Sequence, residues 1–181
     1  MNDSLFGVER LALAAAEDAY REVYRLIEAV PGTTPIEKLF CAALWSLVHR
    51  GDRALNDLFW INQRFPLEQA IGEETARGSF RMSAYVEPQV LIAGWRVDFL
   101  IHYPDRASFE SKLNRLIVEC DGHDFHERTK AQAARDRSRD RLAQHNGLPI
   151  FRFTGSEIWR DPATCADEVL RFMERKPEVQ S

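Results

Sequence analysis

Apolar residues recur at helical spacing near the start of the chain, at Val8, Leu11, Ala15, Ala19, Val23, Leu26 and Ile27. The spacing predicts a helix over residues 4–30, stopped by Pro31 and Gly32. A second helix is predicted from Thr34, where "TPIE" offers a capping residue, a proline at the first helical position and a glutamate three residues on. It runs through "KLFCAALWSLVHR" to Gly51, and "DRALNDLFWINQRF" reads as a helical continuation. Residues 66–84 are polar with no clear period and read as a loop or a poorly packed helix.

The pattern then changes. "PQVLIAGWRVDFLI" is rich in β-branched and aromatic residues and predicts two short strands turning at Ala93-Gly94. After the connection "HYPDRASFESKLN", "RLIVECD" is a third strand. "ERTKAQAARDRSRDRLAQHNG" is a helix ending at Asn146-Gly147, and "LPIFRFT" is a fourth strand. "DPATCADEVLRFMERK" closes as a helix capped by Asp161, with Pro162 at its first position. The order predicts an α/β fold, a small mixed sheet of about four strands flanked by helices. A helical N-terminal extension would occupy residues 1–60, its second helix being assignable to the core, and the core itself residues 85–176.

Composition narrows the class. The 181 residues are 45% hydrophobic and 29% charged, a globular balance that argues against extensive disorder. No apolar run approaches the roughly 20 residues that span a bilayer, and "MNDSLFGVER" lacks a basic region followed by an apolar one. Cys41, Cys120 and Cys165 are odd in number and far apart, as reduced thiols of a cytoplasmic protein would be. A net charge of −4 argues mildly against coating nucleic acid through bulk charge. That average hides a basic segment: Arg128, Lys130, Arg135, Arg137, Arg139 and Arg141 against Asp136 and Asp140.

The chemistry concentrates in "VECDGHDFH", residues 118–126, at the end of an apolar strand. Unpaired charge is expensive to bury, so such a cluster asks for a cation. Side chains alternate along a strand, which puts Glu119 and Asp121 on one face and Cys120 on the other. If the second and third strands are antiparallel neighbours, Asp98 approaches the same face. Asp98, Glu119, Asp121 and the Cys120 main-chain carbonyl would then offer hard oxygen ligands suited to Mg²⁺ or Mn²⁺. Such an ion polarises a phosphoryl oxygen and activates water. The plainer reading makes these acids solvent-facing charges at the sheet end, paired with Arg96 and Arg115.

His126 suits proton transfer near neutral pH, whereas His123 reads as a surface or capping residue. A zinc site from Cys120, His123 and His126 is disfavoured, because Cys120 should face away from the carboxylates. Glu37 leaves two readings open. It can close a capping box with Thr34, or join the carboxylates from the helix before the sheet. The basic segment, read as a helix, carries Lys130, Arg137 and Arg141 on one face and Arg128, Arg135 and Arg139 on the opposite one. It is either a solvated surface or a grip on phosphates.

Over about residues 34–175, "VDFLI…LIVECDGHDFHERTKAQAARDRSRDRLAQHNGLPIFRFTGSEIWRDP" resembles the PD-(D/E)XK nuclease superfamily, with its restriction-endonuclease-like core. Within it the chain is similar to the branch of the very-short-patch mismatch-repair endonuclease and its small relatives. The resemblance implies a Mg²⁺- or Mn²⁺-dependent endonuclease acting on DNA, with Asp98 and Glu119 as metal ligands. It implies that Phe125-His126 matches that branch's aromatic-histidine pair, His126 being catalytic and supported by Asp136. It also matches Glu37 to a glutamate that joins the metal site in several members. The signature's final lysine is replaced by Asp121. That replacement keeps a rival class in play, a non-catalytic nucleic-acid-binding or assembly module that retains the fold. A homo-oligomer or a partner protein is compatible with either class.

Overall fold

The computed structural model describes residues 34–49, 53–55, 57–62, 64–105, 112–122 and 130–175, together with Arg21, Arg25 and Gly32; residues 130–133, 135 and 136 are described by their backbone alone. Apart from Arg21 and Arg25, both helical, the helix predicted over residues 4–30 lies outside the described residues.

Helix α1 (Pro35–Val48) starts as the sequence indicates, with Thr34 accepting from the Glu37 N–H and Pro35 at the first helical position. Strand β1 (Asp57–Trp60) follows, then helix α2 (Leu67–Arg77) and a 3₁₀ turn, Phe80–Met82. Strands β2 (Ser83–Ile92) and β3 (Trp95–Pro104) form a hairpin whose turn residues Ala93 and Gly94 both have positive φ, 48° and 82°. Strand β4 (Leu113–Asp121), helix α3 (Lys130–His145), strand β5 (Ile150–Thr154), helix α4 (Gly155–Arg160) and helix α5 (Pro162–Glu174) complete the order.

One sheet runs β1-β2-β3-β4-β5. The central pairs β2–β3 and β3–β4 are antiparallel, and the outer pairs β1–β2 and β4–β5 are parallel. On one face Phe40, Leu44 and Val48 of α1, with Val169 and Leu170 of α5, pack on Val86, Phe99, Ile101, Leu116, Val118 and Phe153. Phe40 lies between Phe99 and Phe153, with ring centroids 6.1 and 5.9 Å away. On the other face Ala143 and Leu148 cover Trp95, Val97, Leu100 and Ile117, and the α2 side packs on Phe80 and Tyr85. The fold is thus a mixed α/β sandwich, with helices on both faces of the sheet.

One sequence reading is corrected, and of the two left open for residues 66–84 the helical one holds over residues 67–77. The four-strand sheet has a fifth strand, because Asp57–Trp60 is extended and pairs with Ser83–Val86 instead of continuing the preceding helix. "DLFW" is too short for periodicity to separate strand from helix. What decides is that Leu58 enters the α1 side of the sheet while Phe59 stacks on Tyr85 at 5.7 Å, on the other. Residues 67–77 form a real helix, closed by Gly78 at φ 74°. Its inward face concealed itself by carrying a charge: Glu74 is 1% exposed and accepts from the Ser79 and Ser83 hydroxyls at 2.7 and 2.8 Å. A buried carboxylate with such donors is tolerated where an unpaired one is not.

The aromatic stack at Phe40 holds α1 on the sheet. Phe40→Ala is expected to lower unfolding free energy by about 3–5 kcal/mol, whereas Trp159→Ala, at a 70% exposed position, should shift it by less than about 0.5 kcal/mol. Chemical denaturation of both variants checks the contrast.

Candidate active site

The site forms where the central sheet comes apart. Paired residues of β3 and β4 run from Pro104–Leu113 to Phe99–Val118 and stop there. Beyond that point the Cys120 N–H donates to Asp98 Oδ2 at 2.8 Å, so a side-chain carboxylate takes over a main-chain donor that the ladder leaves. The β2–β3 pairing skips the opposite position too, between Pro88–Phe99 and Val90–Val97, and Gln89 there has φ 56°. Strand alternation slips at the same place: Val97 and Leu100 pack in the cluster beside α3, while Phe99 packs beneath α1. This local distortion re-aims Asp98 and Gln89 at the mouth of the sheet.

Glu119 lies beside them on β4. It is 7% exposed, and its Oε1 is buried with no hydrogen-bond partner among the described residues. Burial pushes its carboxyl up to about 7, with Asp98 and Asp121 adding repulsion, while Arg152 and Arg139 pull the other way. Asp98 is pushed up to about 6, again mainly by burial; Glu37 and Asp121 repel it, and the Cys120 N–H and Gln89 favour its charged form. Glu119 is buried where the plainer reading had it facing solvent, Asp98 and Asp121 are partly buried, and the cations acting on Glu119 are Arg152 and Arg139 in place of Arg96 and Arg115.

Glu37 is bonded to Thr34 at the start of α1 and to Gln89 of β2. Its N–H is capped by Thr34 at 3.3 Å, and the Thr34 hydroxyl donates to Oε1 at 2.9 Å. Its other oxygen, Oε2, accepts from Gln89 Nε2 at 3.3 Å, and the residue is 4% exposed. Gln89 therefore touches Glu37 and Asp98 together, tying α1 to β3 across the site. Asp121 closes β4, partly buried and near enough to act on both Asp98 and Glu119. The Cys120 side chain packs in the core on the α1 side, away from Glu119. Gly155 allows α4 to start against this strand end; a Cβ there would stand 3.3 Å from the Asp121 carbonyl oxygen.

His123, His126 and Arg128 lie outside the described residues, and Asp136, Arg135 and Lys130 are described by backbone only. Arg137 and Arg141 are exposed on α3. Arg139 is partly buried, its guanidinium 5.5 Å from the Trp95 ring centre, and faces inward toward Glu119. Sequence reading did not single out Gln89 or Arg152. Gln89 gave no signal, because its role arises from a positive φ in mid-strand. Arg152 was legible in part, as a charge interrupting the apolar strand "IFRF".

The family model REase_MTES_1575, which describes restriction-endonuclease-like proteins, matches residues 78–173, more than half of the chain. Gln89, Asp98, Glu119, Asp121 and Arg152 fall inside that match, and Glu37 falls outside it. No curated protein and no solved structure matches the chain.

The raised carboxyls carry a stability consequence. The folded state holds these protons more tightly than the unfolded chain, whose values are 3.8 and 4.5. Their contribution is therefore present below about pH 4 and lost as pH rises through about 6 to 7. Asp98→Asn and Glu119→Gln should each raise neutral-pH stability, by roughly 1–3 kcal/mol. The difference from wild type should shrink toward pH 4 in urea unfolding at a series of pH values. Glu37→Gln preserves capping geometry. It is expected to leave the melting temperature within about 2 °C of wild type while reducing catalysis at least tenfold; unchanged catalysis would make Glu37 a cap only.

Proposed function

The chain belongs to this restriction-endonuclease-like family, and we propose that it hydrolyses phosphodiester bonds in DNA with a divalent metal, Mg²⁺ or Mn²⁺, held by Asp98 and Glu119. The observation that carries this reading is the buried Glu119 Oε1, without a hydrogen-bond partner among the described residues, next to an Asp98 fixed in place by the Cys120 N–H. A buried carboxyl with no donor is expensive to ionise, and a cation is a partner that removes that expense.

The donor set fits such an ion. Among the described residues no three His, Cys, Asp or Glu side chains converge on a single ligating point. A hard divalent ion, however, commonly takes one or two protein carboxylates and completes its shell with water and substrate oxygens. Asp98 and Glu119 supply that pair, with Asp121 and the Cys120 carbonyl as further oxygens at the strand end. When bound, the ion would polarise the phosphoryl group and favour a nucleophilic water.

The chain's own groups do the rest. In hydrolysis a water oxygen bonds to phosphorus while the bond to the leaving oxygen breaks; one proton leaves the water and one reaches the leaving oxygen. In the finer reading, close to the very-short-patch repair branch, His126 moves one of these protons and Asp136 orients it. Gln89 of β2, itself bonded to Glu37 of α1, holds Asp98 in position. The exposed Arg137 and Arg141 of α3 would neutralise backbone phosphates flanking the cut. Among the described residues no helix is long and apolar enough to cross a membrane.

One observation favours the non-catalytic alternative, an acid at Asp121 where the superfamily signature has lysine. Digestion decides between the two. Wild type with Mg²⁺ or Mn²⁺ is expected to cut at least one of supercoiled, linear, single-stranded and mismatched DNA. Asp98→Asn, which keeps an oxygen for the Cys120 N–H, and Glu119→Ala should fall below detection while melting at or above the wild-type temperature. The same variants should lose the metal-dependent rise in melting temperature that selective binding to the native state produces. A wild type that cuts none of these substrates, or an Asp98→Asn that cuts normally, contradicts the proposal.

A further inference from the structure

Glu37, Asp98, Glu119 and Asp121 crowd one end of the sheet, yet the substrate proposed for them is a polyanion. An entering phosphate needs a positive group within the same site. Acids occupy both Glu119 and Asp121 on β4, so a side-chain cation to work beside the proposed metal has to come from another element.

Strand β5 provides it. Arg152 is the register partner of Glu119 in the parallel β4–β5 pair. Ile150, two residues earlier, packs in the cluster beside α3, and Phe153 packs beneath α1. Arg152 thus shares the α3 side of the sheet with Ile117 and Glu119. Its Nη1 meets Asp140 Oδ1 of α3 at 2.9 Å, which fixes the guanidinium over the strand ends. The Arg152 side chain keeps 23% of its surface exposed. It also walls a cleft of about 690 Å³ between α3 and β5, lined besides by Asp140, Gln144, Leu148 and Ile150. The group is therefore tethered, reachable from solvent and adjacent to the buried carboxylate.

We propose that Arg152, tethered by Asp140 beside Glu119, binds the scissile phosphate and supplies the positive charge that Asp121 cannot. This rests on the nuclease reading above. Guanidinium presents five N–H donors in a planar fork, so one group can meet the Asp140 carboxylate and a phosphate oxygen together. It stabilises charge that builds on the phosphoryl oxygens as the new bond forms, and no proton passes through it. Arg139, held over Trp95, adds positive potential from the α3 side.

The test uses the full chain and a fluorescent DNA duplex. Affinity is measured against salt in Ca²⁺, and single-turnover cleavage in Mg²⁺ on whichever substrate wild type cuts. Arg152→Gln is expected to lower the cleavage rate about 10²–10³-fold. It should also make the slope of log affinity against log salt shallower by roughly 0.9, the share of one phosphate. Arg152→Lys should restore the slope and part of the rate. Arg171→Gln, an exposed position on α5 paired with Asp167, should change neither. If Arg152→Gln melts below the assay temperature, Arg152→Met, which keeps the apolar stem, gives the same reading. A neutral variant with wild-type rate and slope overturns the assignment while leaving the nuclease reading intact. If wild type binds DNA but never cuts it, the nuclease reading fails, and the slope alone decides on Arg152. Absence of DNA binding by wild type overturns both.

Discussion

The hydrogen bond from the Cys120 N–H to the Asp98 carboxylate joins β3 to β4 where their ladder has ended. Without it, two diverging strands would expose a main-chain donor next to a partly buried acid. With it, the acid is held in place, and Glu119 is left on the opposite strand with its Oε1 unsatisfied among the described residues. Gln89 reinforces the arrangement from β2, at a positive φ that a non-glycine residue adopts only under local constraint. The opening of the sheet and the clustering of acids are one structural event.

Such a cluster works against folding. Burial and mutual repulsion raise the Asp98 and Glu119 carboxyls, which means their charged forms are disfavoured in the native state. The surrounding core offsets this. Phe40, Phe99 and Phe153 stack directly beneath the strand ends, and α1 and α5 close over them. The Thr34–Glu37 cap and the Thr154–Glu157 capping box fix the starts of α1 and α4. Residues that disfavour stability at a rigidly supported point are where function is commonly found.

Much of this was legible in the sequence. The cap at Thr34, the Ala93-Gly94 turn, the Asn146-Gly147 helix stop and the Asp161–Pro162 start each carry local chemistry that acts without tertiary help. The pairing of Asp98 with the 119–121 strand followed from alternation and hairpin order. What escaped depended on partners distant in sequence. "DLFW" becomes a strand because β2 offers it an edge, and α2 is stable because serines from the following turn satisfy Glu74. Gln89 offered no signal, because the slip between faces there is set by the missing pair opposite Asp98. Arg152 gained meaning only from its register with Glu119 and its ion pair to Asp140.

The central claim is that Asp98 and Glu119 form one cation site at the strand divergence. Anomalous X-ray diffraction from crystals of the chain grown with Mn²⁺ tests it most directly, because manganese scatters distinctively and its ligands are seen one by one. The account expects a peak at ligand distance, about 2 Å, from an oxygen of each carboxylate. A well-ordered site in which Glu119 instead pairs with Arg152 or Arg139, with manganese bound only elsewhere, would contradict it.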